Sequence, residues 1–170
     1  RAARVAILSG AFISNATVSS GGTLEVFNGS AGGATGVLTI LPGAIVEIGS
    51  ATEFDSFTVS SGTLLEVLSS GLEVSATVLS GGSEIVFGVG IASGTIVSSG
   101  GQVTLSSGGE SISARLVGGT SGFGNELVSS GGSAISTTVT SGARQFVFNG
   151  GTTTETLVSA TGFTSNTSAV

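Results

Sequence analysis

Residues Ala76 to Gly101 read ATVLSGGSEIVFGVGIASGTIVSSGG. The stretch contains a Thr–apolar pair that runs into Ser and Gly and ends at Gly82, and a second copy of this segment ends at Gly101. Between them, EIVFGVG ends at Gly90 and represents a second kind of segment. Both kinds join a few β-branched or apolar residues to glycine, which is typical of a short strand closed by a turn. The stretch therefore predicts a repeating unit of strands and turns.

Both kinds of segment recur along the whole chain. The first kind ends at Gly22, Gly43, Gly62, Gly82, Gly101, Gly119, Gly142 and Gly162. The second kind ends at Gly10, Gly29, Gly49, Gly71, Gly90, Gly109, Gly132 and Gly151. Two interleaved series with one shared period of about 20 residues indicate a repeat protein. Because one such unit cannot bury its own apolar face, we expect the copies to stack. Residues 1–170 are thus predicted to form a single all-β domain, a parallel β-solenoid of about eight coils.

The composition excludes several classes of function. Hydrophobic residues make up 39% of the chain, so it is expected to fold rather than remain disordered. Only 4 basic residues stand against 10 acidic ones, which leaves no basic patch for nucleic acid or anionic membranes. No apolar run reaches the roughly 18 residues that span a bilayer, so we expect no membrane insertion by this segment. A chain without Cys or His has no disulfides, zinc fingers or histidine-based catalysis.

Catalytic groups are correspondingly scarce. The chain has no His, Cys or Lys, so the known serine and cysteine catalytic arrangements cannot form. Carboxylate pairs such as Glu53 with Asp55 are the only acid–base option. Calcium-binding coils need repeated Asp, and Asp55 is the only one. We therefore expect no enzyme activity, no catalytic residues, no cofactor and no metal site.

The regular period fails at residues 120–125, which read TSGFGN. The interval from Gly119 to Gly142 is longer than the interval from Gly82 to Gly101, and insertions in a solenoid leave the stack as loops. Smaller numbers of extra residues, relative to the regular period, are expected at residues 30–36 and 50–57. The inserted phenylalanines Phe54, Phe57 and Phe123 either form exposed contacts or fold back as hydrophobic plugs. The candidate contact loop consists of Thr120, Ser121, Phe123 and Asn125.

Acidic or amide side chains precede an apolar residue in most segments of the second kind. They are Glu25, Glu47, Glu66, Glu84, Gln102, Glu126 and Gln145. Stacking predicts one outward stripe, which either binds a cation or partner or simply keeps the rod solvated and blocks lateral strand pairing. The phenylalanines that close the same strand in three repeats, Phe27, Phe87 and Phe148, are expected to stack in the core, with a ligand platform as the alternative.

The VSSGG and VFNGG half-repeats resemble the 19-residue repeat of AIDA-type autotransporter adhesins, which are self-associating and diffusely adhering surface proteins of Gram-negative bacteria. The resemblance covers residues 6–162, and LTILPG and ARLVGG depart most from it. It implies a right-handed parallel β-helix, secreted as part of a longer passenger and tethered to the outer membrane through a barrel domain outside these residues. It also implies O-glycosylation of repeat serines by a dedicated glycosyltransferase. The matching residues are Ser19, Ser20, Ser60, Ser61, Ser98, Ser99, Ser129 and Ser130, with Ser80 and Ser141 matching in part.

The resulting hypothesis is an extracellular adhesive rod at the cell surface. Its expected partners are a host-cell surface, another copy of itself and the modifying glycosyltransferase. The alternative is an ice- or polymer-binding solenoid with aligned threonines, and a carbohydrate-active β-helix enzyme is a weaker third reading. Flat Thr-x-Thr ladders would support the ice-binding alternative, but threonine precedes an apolar residue only once per repeat, at Thr17, Thr58, Thr77, Thr95, Thr138 and Thr156.

Overall fold

The computed structural model describes residues 3–8, 11, 13–27, 34–35, 38–120, 122–140, 142–159 and 163–166. The regular elements in these residues are short strands, and no helix among them is long and apolar enough to cross a membrane. Numbered in chain order, the strands come in triplets, one triplet per turn. The first strands are β1 (Arg4–Ile7), β4 (Thr23–Phe27), β7 (Ile45–Gly49), β10 (Leu64–Val67), β13 (Ser83–Val86), β16 (Gln102–Leu105), β19 (Asn125–Val128), β22 (Arg144–Val147) and β25 (Phe163–Asn166). The second strands are β2 (Ile13–Ser14), β5 (Ala34–Thr35), β8 (Glu53–Asp55), β11 (Leu72–Val74), β14 (Ile91–Ser93), β17 (Glu110–Ile112), β20 (Ser133–Ile135) and β23 (Thr152–Thr154). The third strands are β3 (Thr17–Val18), β6 (Thr39–Ile40), β9 (Thr58–Val59), β12 (Thr77–Val78), β15 (Ile96–Val97), β18 (Arg115–Val117), β21 (Thr138–Thr140) and β24 (Leu157–Val158).

Strands of the same kind stack along the rod into parallel sheets. Sheet 1 joins the nine first strands from β1 to β25. Sheet 2 joins six second strands, β8 to β23, and sheet 3 joins six third strands, β9 to β24. The strand pairs β2–β5 and β3–β6 form two further small sheets. The predicted all-β parallel solenoid is confirmed.

The register sets the length of each turn. Leu64 pairs with Ser83 and Ser83 pairs with Gln102, so two successive turns have the same regular length. A further turn of that length would pair Gln102 with residue 121, but Gln102 pairs with Asn125, which confirms the insertion expected near residue 120. The turn from Ile45 to Leu64 has the regular length, so the excess predicted for residues 50–57 is wrong. Thr23 pairs with Ile45, so this turn is longer than the regular one, which confirms the excess predicted for residues 30–36. Residues 30–33 and 36 themselves lie outside the described part of the chain.

The core forms because apolar residues occupy alternate strand positions. Sheet 1 contributes residues such as Leu65 and Val67, and sheet 3 contributes Val78 and Val97, all 0% exposed. Each such burial stabilises the fold by roughly 1.5–3 kcal/mol. Since an isolated turn has no neighbour to cover these side chains, the stability comes from stacking.

The same alternation overturns the prediction for the closing phenylalanines. Val26, Val86 and Val147 point inward, so the residue that follows each of them points outward. Phe27 and Phe87 are consequently half-buried, and Phe148 is 40% exposed. They lie on the outer face of sheet 1 rather than in a core ladder.

Candidate functional sites on the corners and in the core

Three corners connect the strands of each turn. Corner 1 follows the first strand, corner 2 the second, and corner 3 leads from the third strand to the next turn. At corner 3, Gly62 and Gly81 adopt left-handed backbone conformations (φ +73° and +74°), which glycine tolerates without a steric cost. The Gly62 N–H donates to the Gly81 carbonyl of the next turn at 2.8 Å, and the Gly81 N–H donates to Gly100 at 2.9 Å. The corners therefore stack as regularly as the strands.

Six of the eight serines expected to carry sugars lie at corner 3. They are Ser19, Ser20, Ser60, Ser61, Ser98 and Ser99. The first four are exposed and the last two half-buried. Ser129 and Ser130 follow a first strand instead and lie at corner 1, so the structure does not bring all eight together.

Glycine makes room for the serines of corner 3. A Cβ on Gly81 would lie 2.6 Å from Ser61 Oγ, and one on Gly100 would lie 2.5 Å from Ser80 Oγ. The serine of one turn thus lies against the glycine of the next. We call Ser20, Ser61, Ser80 and Ser99 the corner 3 serine row; Pro42 takes the serine position between Ser20 and Ser61.

Corner 1 carries a second set of serines, of which the sequence analysis singled out only Ser129 and Ser130. Its members are Ser69, Ser70, Ser106, Ser107, Ser129 and Ser130. The Ser107 N–H donates to the Ser130 carbonyl at 3.0 Å, which places these two residues in adjacent turns. The signal was present, because LSSG occurs at residues 68–71 and 105–108 as VSSG does elsewhere.

The predicted contact loop closes on itself and on its neighbouring turn. The Gly119 N–H donates to the Gly122 carbonyl at 3.0 Å. Thr120 is exposed, and Asn125 is half-buried at the start of β19. Phe123 is 39% exposed, and the Arg144 guanidinium carbon lies 3.3 Å from the centre of its ring. Ser121 lies outside the described residues.

The other two phenylalanines singled out from the sequence act as plugs. Phe54 is 8% exposed within the core, and Phe57 packs against that core. Their ring centres are 5.2 Å apart. Among the three, only Phe123 is an exposed contact.

The predicted outward stripe of acids is wrong beyond the first turns. Glu25, Glu47 and Glu66 do stack on the outer face of sheet 1. The Arg4 guanidinium bridges the first two, at 2.6 Å from Glu25 and 2.8 Å from Glu47. The next residue in this column is Ile85, because Glu84 lies one position earlier on its strand. Since side chains alternate between faces, that shift turns Glu84 inward.

Several predicted stripe members consequently lie in the core. Glu84, Glu126 and Gln145 are 0% exposed at inward positions of β13, β19 and β22, whereas Gln102 is exposed in a separate outer column. Glu73, which the sequence analysis did not single out, is also 0% exposed, at the centre of β11. The repeat period aligns Glu73 with Phe54 and Ala92, and this alignment is the signal that could have revealed its burial.

Two of the buried carboxyls accept hydrogen bonds. Thr95 Oγ1 donates to Glu73 Oε2 at 2.8 Å, and the Ala76 N–H donates to Glu73 Oε1. Glu126 Oε2 accepts from Gln145 Nε2 at 2.8 Å and from Thr137 Oγ1 at 3.1 Å. Neither oxygen of Glu84 has a hydrogen-bonding partner among the described groups.

Burial governs the protonation of these groups. It raises the pKa of Glu73 to about 7, against the lowering effect of Thr95 and Ala76. Burial, together with the carboxyls of Glu73 and Glu126, raises the pKa of Glu84 well above its ordinary value. The pKa of Glu126 is also raised by burial, although its hydrogen bond from Gln145 lowers it. No group of three potential metal ligands occurs among the described residues.

The threonines do not form the row that an ice-binding surface needs. Thr58 pairs with Thr77, but the next residues in that column are Ile96 and Arg115. Thr95 lies in the core rather than in the row. The interrupted column removes the observation on which the alternative hypothesis depended.

No protein-family model and no curated protein sequence matches this chain. Among solved structures, the chain is similar to a fragment of TibA described as TibC-catalyzed and hyper-glycosylated. The two sequences are 26% identical, and the match covers 95% of this chain and 84% of the TibA chain, with a TM-score of 0.49.

Proposed function

We propose that this chain is an extracellular structural rod that adheres to host-cell surfaces or to other copies of itself. The observation that carries the proposal is the corner 3 serine row, whose hydroxyls follow one edge of the stack from turn to turn. Weak polar contacts repeated along a rigid rod add through multivalency. Adhesion in this account comes from a repeated surface and requires no catalysis.

The same serines are proposed acceptors for O-linked sugars. Ser20, Ser61 and Ser80 lie exposed in turns, where a modifying glycosyltransferase can reach the hydroxyl. Ser111 provides an internal comparison, because it is only 1% exposed. After co-expression with a glycosyltransferase, peptide mass spectrometry is expected to find sugar on Ser20, Ser61 and Ser80 and none on Ser111. Sugar on Ser111 with bare corner serines would contradict the proposal.

A clustering assay tests the adhesive role. Cells that display the chain are compared with cells that display a variant in which Ser20, Ser61, Ser80 and Ser99 are all replaced by Ala. We expect clustering to fall several-fold in this variant, and to change little in the single Ser61→Ala control. The variant with Ser69, Ser70, Ser107 and Ser130 replaced by Ala reports whether corner 1 contributes as well. Unchanged clustering in the corner 3 variant would refute the role of the serine row.

Salt provides a second check of the contact type. The chain carries a net charge of −6, so two copies repel one another over long range. Screening shortens this repulsion to about 8 Å at physiological ionic strength. Clustering through short polar contacts is therefore expected to stay constant or strengthen as salt rises. Loss of clustering with salt would indicate attraction between charges instead.

A further inference from the structure

Three carboxyl groups occupy inward positions of the stack. Glu73 lies in register between Phe54 and Ala92, and Glu84 lies between Leu65 and Val103. Glu126 lies between Val103 and Gln145. All three glutamates are 0% exposed. The neighbours in register are thus apolar for Glu73 and Glu84 and include one amide, Gln145, for Glu126.

The described residues place no cation beside these carboxyls. The inward positions around them hold only the three glutamates as titratable groups. The charged residues on the surrounding strands lie at exposed or half-buried outward positions: Glu53 and Asp55 on β8, Glu66 on β10, Glu110 on β17, Arg115 on β18 and Arg144 on β22. An ionised carboxylate without a partner is very costly in such surroundings, and a buried acid usually takes up a proton instead.

The available hydrogen bonds do not offset that cost. Glu84 has no donor at either oxygen, and Glu126 Oε1 also lacks one among the described groups. Glu73 has two donors, Thr95 and Ala76, but the negative charge of Asp55 on the neighbouring strand acts in the opposite direction. The geometry therefore favours the neutral acid most strongly at Glu84.

We infer that Glu73, Glu84 and Glu126 are neutral carboxylic acids inside the folded solenoid, and that the turns around them become less stable when these groups lose their protons. This pH dependence is independent of the adhesive role. The three carboxyls then stabilise the rod in acidic surroundings, and this contribution is lost as the medium becomes alkaline.

The direction in which stability changes with pH follows from proton linkage. The pKa of each glutamate is raised above the ordinary value of 4.5, so the folded chain holds protons that the unfolded chain releases above that pH. The unfolding equilibrium constant then rises by up to about tenfold per pH unit for each glutamate that stays protonated in the folded state. For Glu73 the rise levels off near its pKa of about 7, and Glu84 and Glu126 contribute in the same direction.

Variants without the buried acids test the inference. Glu84→Leu matches the aligned Leu65, Glu126→Gln keeps the shape of the side chain, and Glu53→Gln is the exposed control. Denaturant unfolding at pH 5 and pH 8 is expected to show a clear loss of stability with pH in the original chain and the control. The double variant Glu84→Leu/Glu126→Gln should lose much less. An identical pH dependence in the double variant and the original chain would overturn the inference.

Infrared spectroscopy gives a result that does not depend on whether a variant folds. The folded original chain at pH 7 is expected to show the carbonyl stretch of a protonated carboxylic acid. That band should disappear when the protein is unfolded at the same pH, because glutamates in water are then ionised. A folded chain without the band at pH 7 would overturn the inference by itself.

Discussion

Gln145 Nε2 donates a 2.8 Å hydrogen bond to Glu126 Oε2 from the adjacent turn, inside the stack. Gln145 Oε1 in turn accepts from Thr156 Oγ1 at 3.2 Å, and Thr156 shares a 2.6 Å hydrogen bond with Thr153. A polar chain therefore runs through the interior between β19 and the corner after β23. Glu126 and Gln145 are fully buried, and misaligned turns would leave them unpaired, so this hydrogen-bond chain favours one register of the stack.

Replacing Gln145 tests that chain. Gln145→Leu removes the donor to Glu126 and the acceptor for Thr156, and we expect a loss of about 1–3 kcal/mol in the free energy of unfolding. The pKa of Glu126 should also rise further, since the hydrogen bond from Gln145 lowers it. Gln102→Leu is the control, because Gln102 is exposed on sheet 1. Equal losses of unfolding free energy in the two variants, measured by denaturant unfolding, would argue against the hydrogen-bond chain through Gln145.

Glu73 offers a local test of the pKa directions. Thr95 Oγ1 donates to Glu73 Oε2, and this hydrogen bond favours the charged carboxylate. Thr95→Val is therefore expected to raise the pKa of Glu73 above its value of about 7. Carboxyl-carbon NMR of the folded protein measures the shift, with Thr104→Val on the outer face of sheet 1 as the control. A lower pKa in Thr95→Val would contradict the assignment of the hydrogen bond.

Close stacking at corner 1 depends on a buried glycine. A Cβ on Gly90 would lie 2.6 Å from the Val67 carbonyl oxygen of the preceding turn. Gly90→Ala is expected to destabilise the fold by about 1–3 kcal/mol, since the obstructing atom belongs to the backbone. At Gly142 a Cβ would meet none of the described residues within 4 Å, but φ is +73°, so Gly142→Ala is expected to cost about 1 kcal/mol for the left-handed conformation. Thermal unfolding of the pair compares the two costs, and a milder effect at Gly90 would contradict the packing argument.

The Phe123–Arg144 contact ties the inserted loop to the next turn. At 3.3 Å from the ring centre to the guanidinium carbon, the contact is a cation–π interaction worth about 0.5–1 kcal/mol at an exposed position. A double-mutant cycle with Phe123→Leu and Arg144→Gln should return a coupling of that size. A second cycle that pairs Phe123→Leu with Arg115→Gln, at an exposed position on β18, should return none. Equal coupling in both cycles would exclude a specific contact.

The turns and the position of the long insertion were predictable because glycine marks the corners. At corner 3, residues such as Gly62 and Gly81 recur where the backbone is left-handed, a conformation that glycine adopts without steric cost, whereas serines such as Ser70 and Ser107 adopt it at corner 1. The spacing of these glycines therefore encodes the period. The extra residues after Gly119 were visible in the same way.

The facing of individual side chains was harder to predict. Glu25 is the third residue of β4, whereas Glu84 is the second residue of β13. Aligning the two glutamates by the apolar residue that follows each of them, as in the sequence analysis, hides the difference of one strand position. Because side chains alternate between the two faces of a sheet, that difference points Glu25 outward and Glu84 inward. Aligning them by the paired register would have separated them. The general rule that glutamate stays at the surface unless paired reinforced the error.

The turn number tests the adhesive account most directly. Deleting residues 83–101 removes one regular turn, because Gln102 aligns with Ser83 and takes its place after Gly82. Deleting residues 64–101 removes two turns in the same way, because Ser83 aligns with Leu64. At equal amounts on the cell surface, the account predicts that clustering falls with each turn removed, while Ser61→Ala changes it little. Full clustering after both deletions, together with its loss in a single substitution, would contradict the account and point to one local binding site.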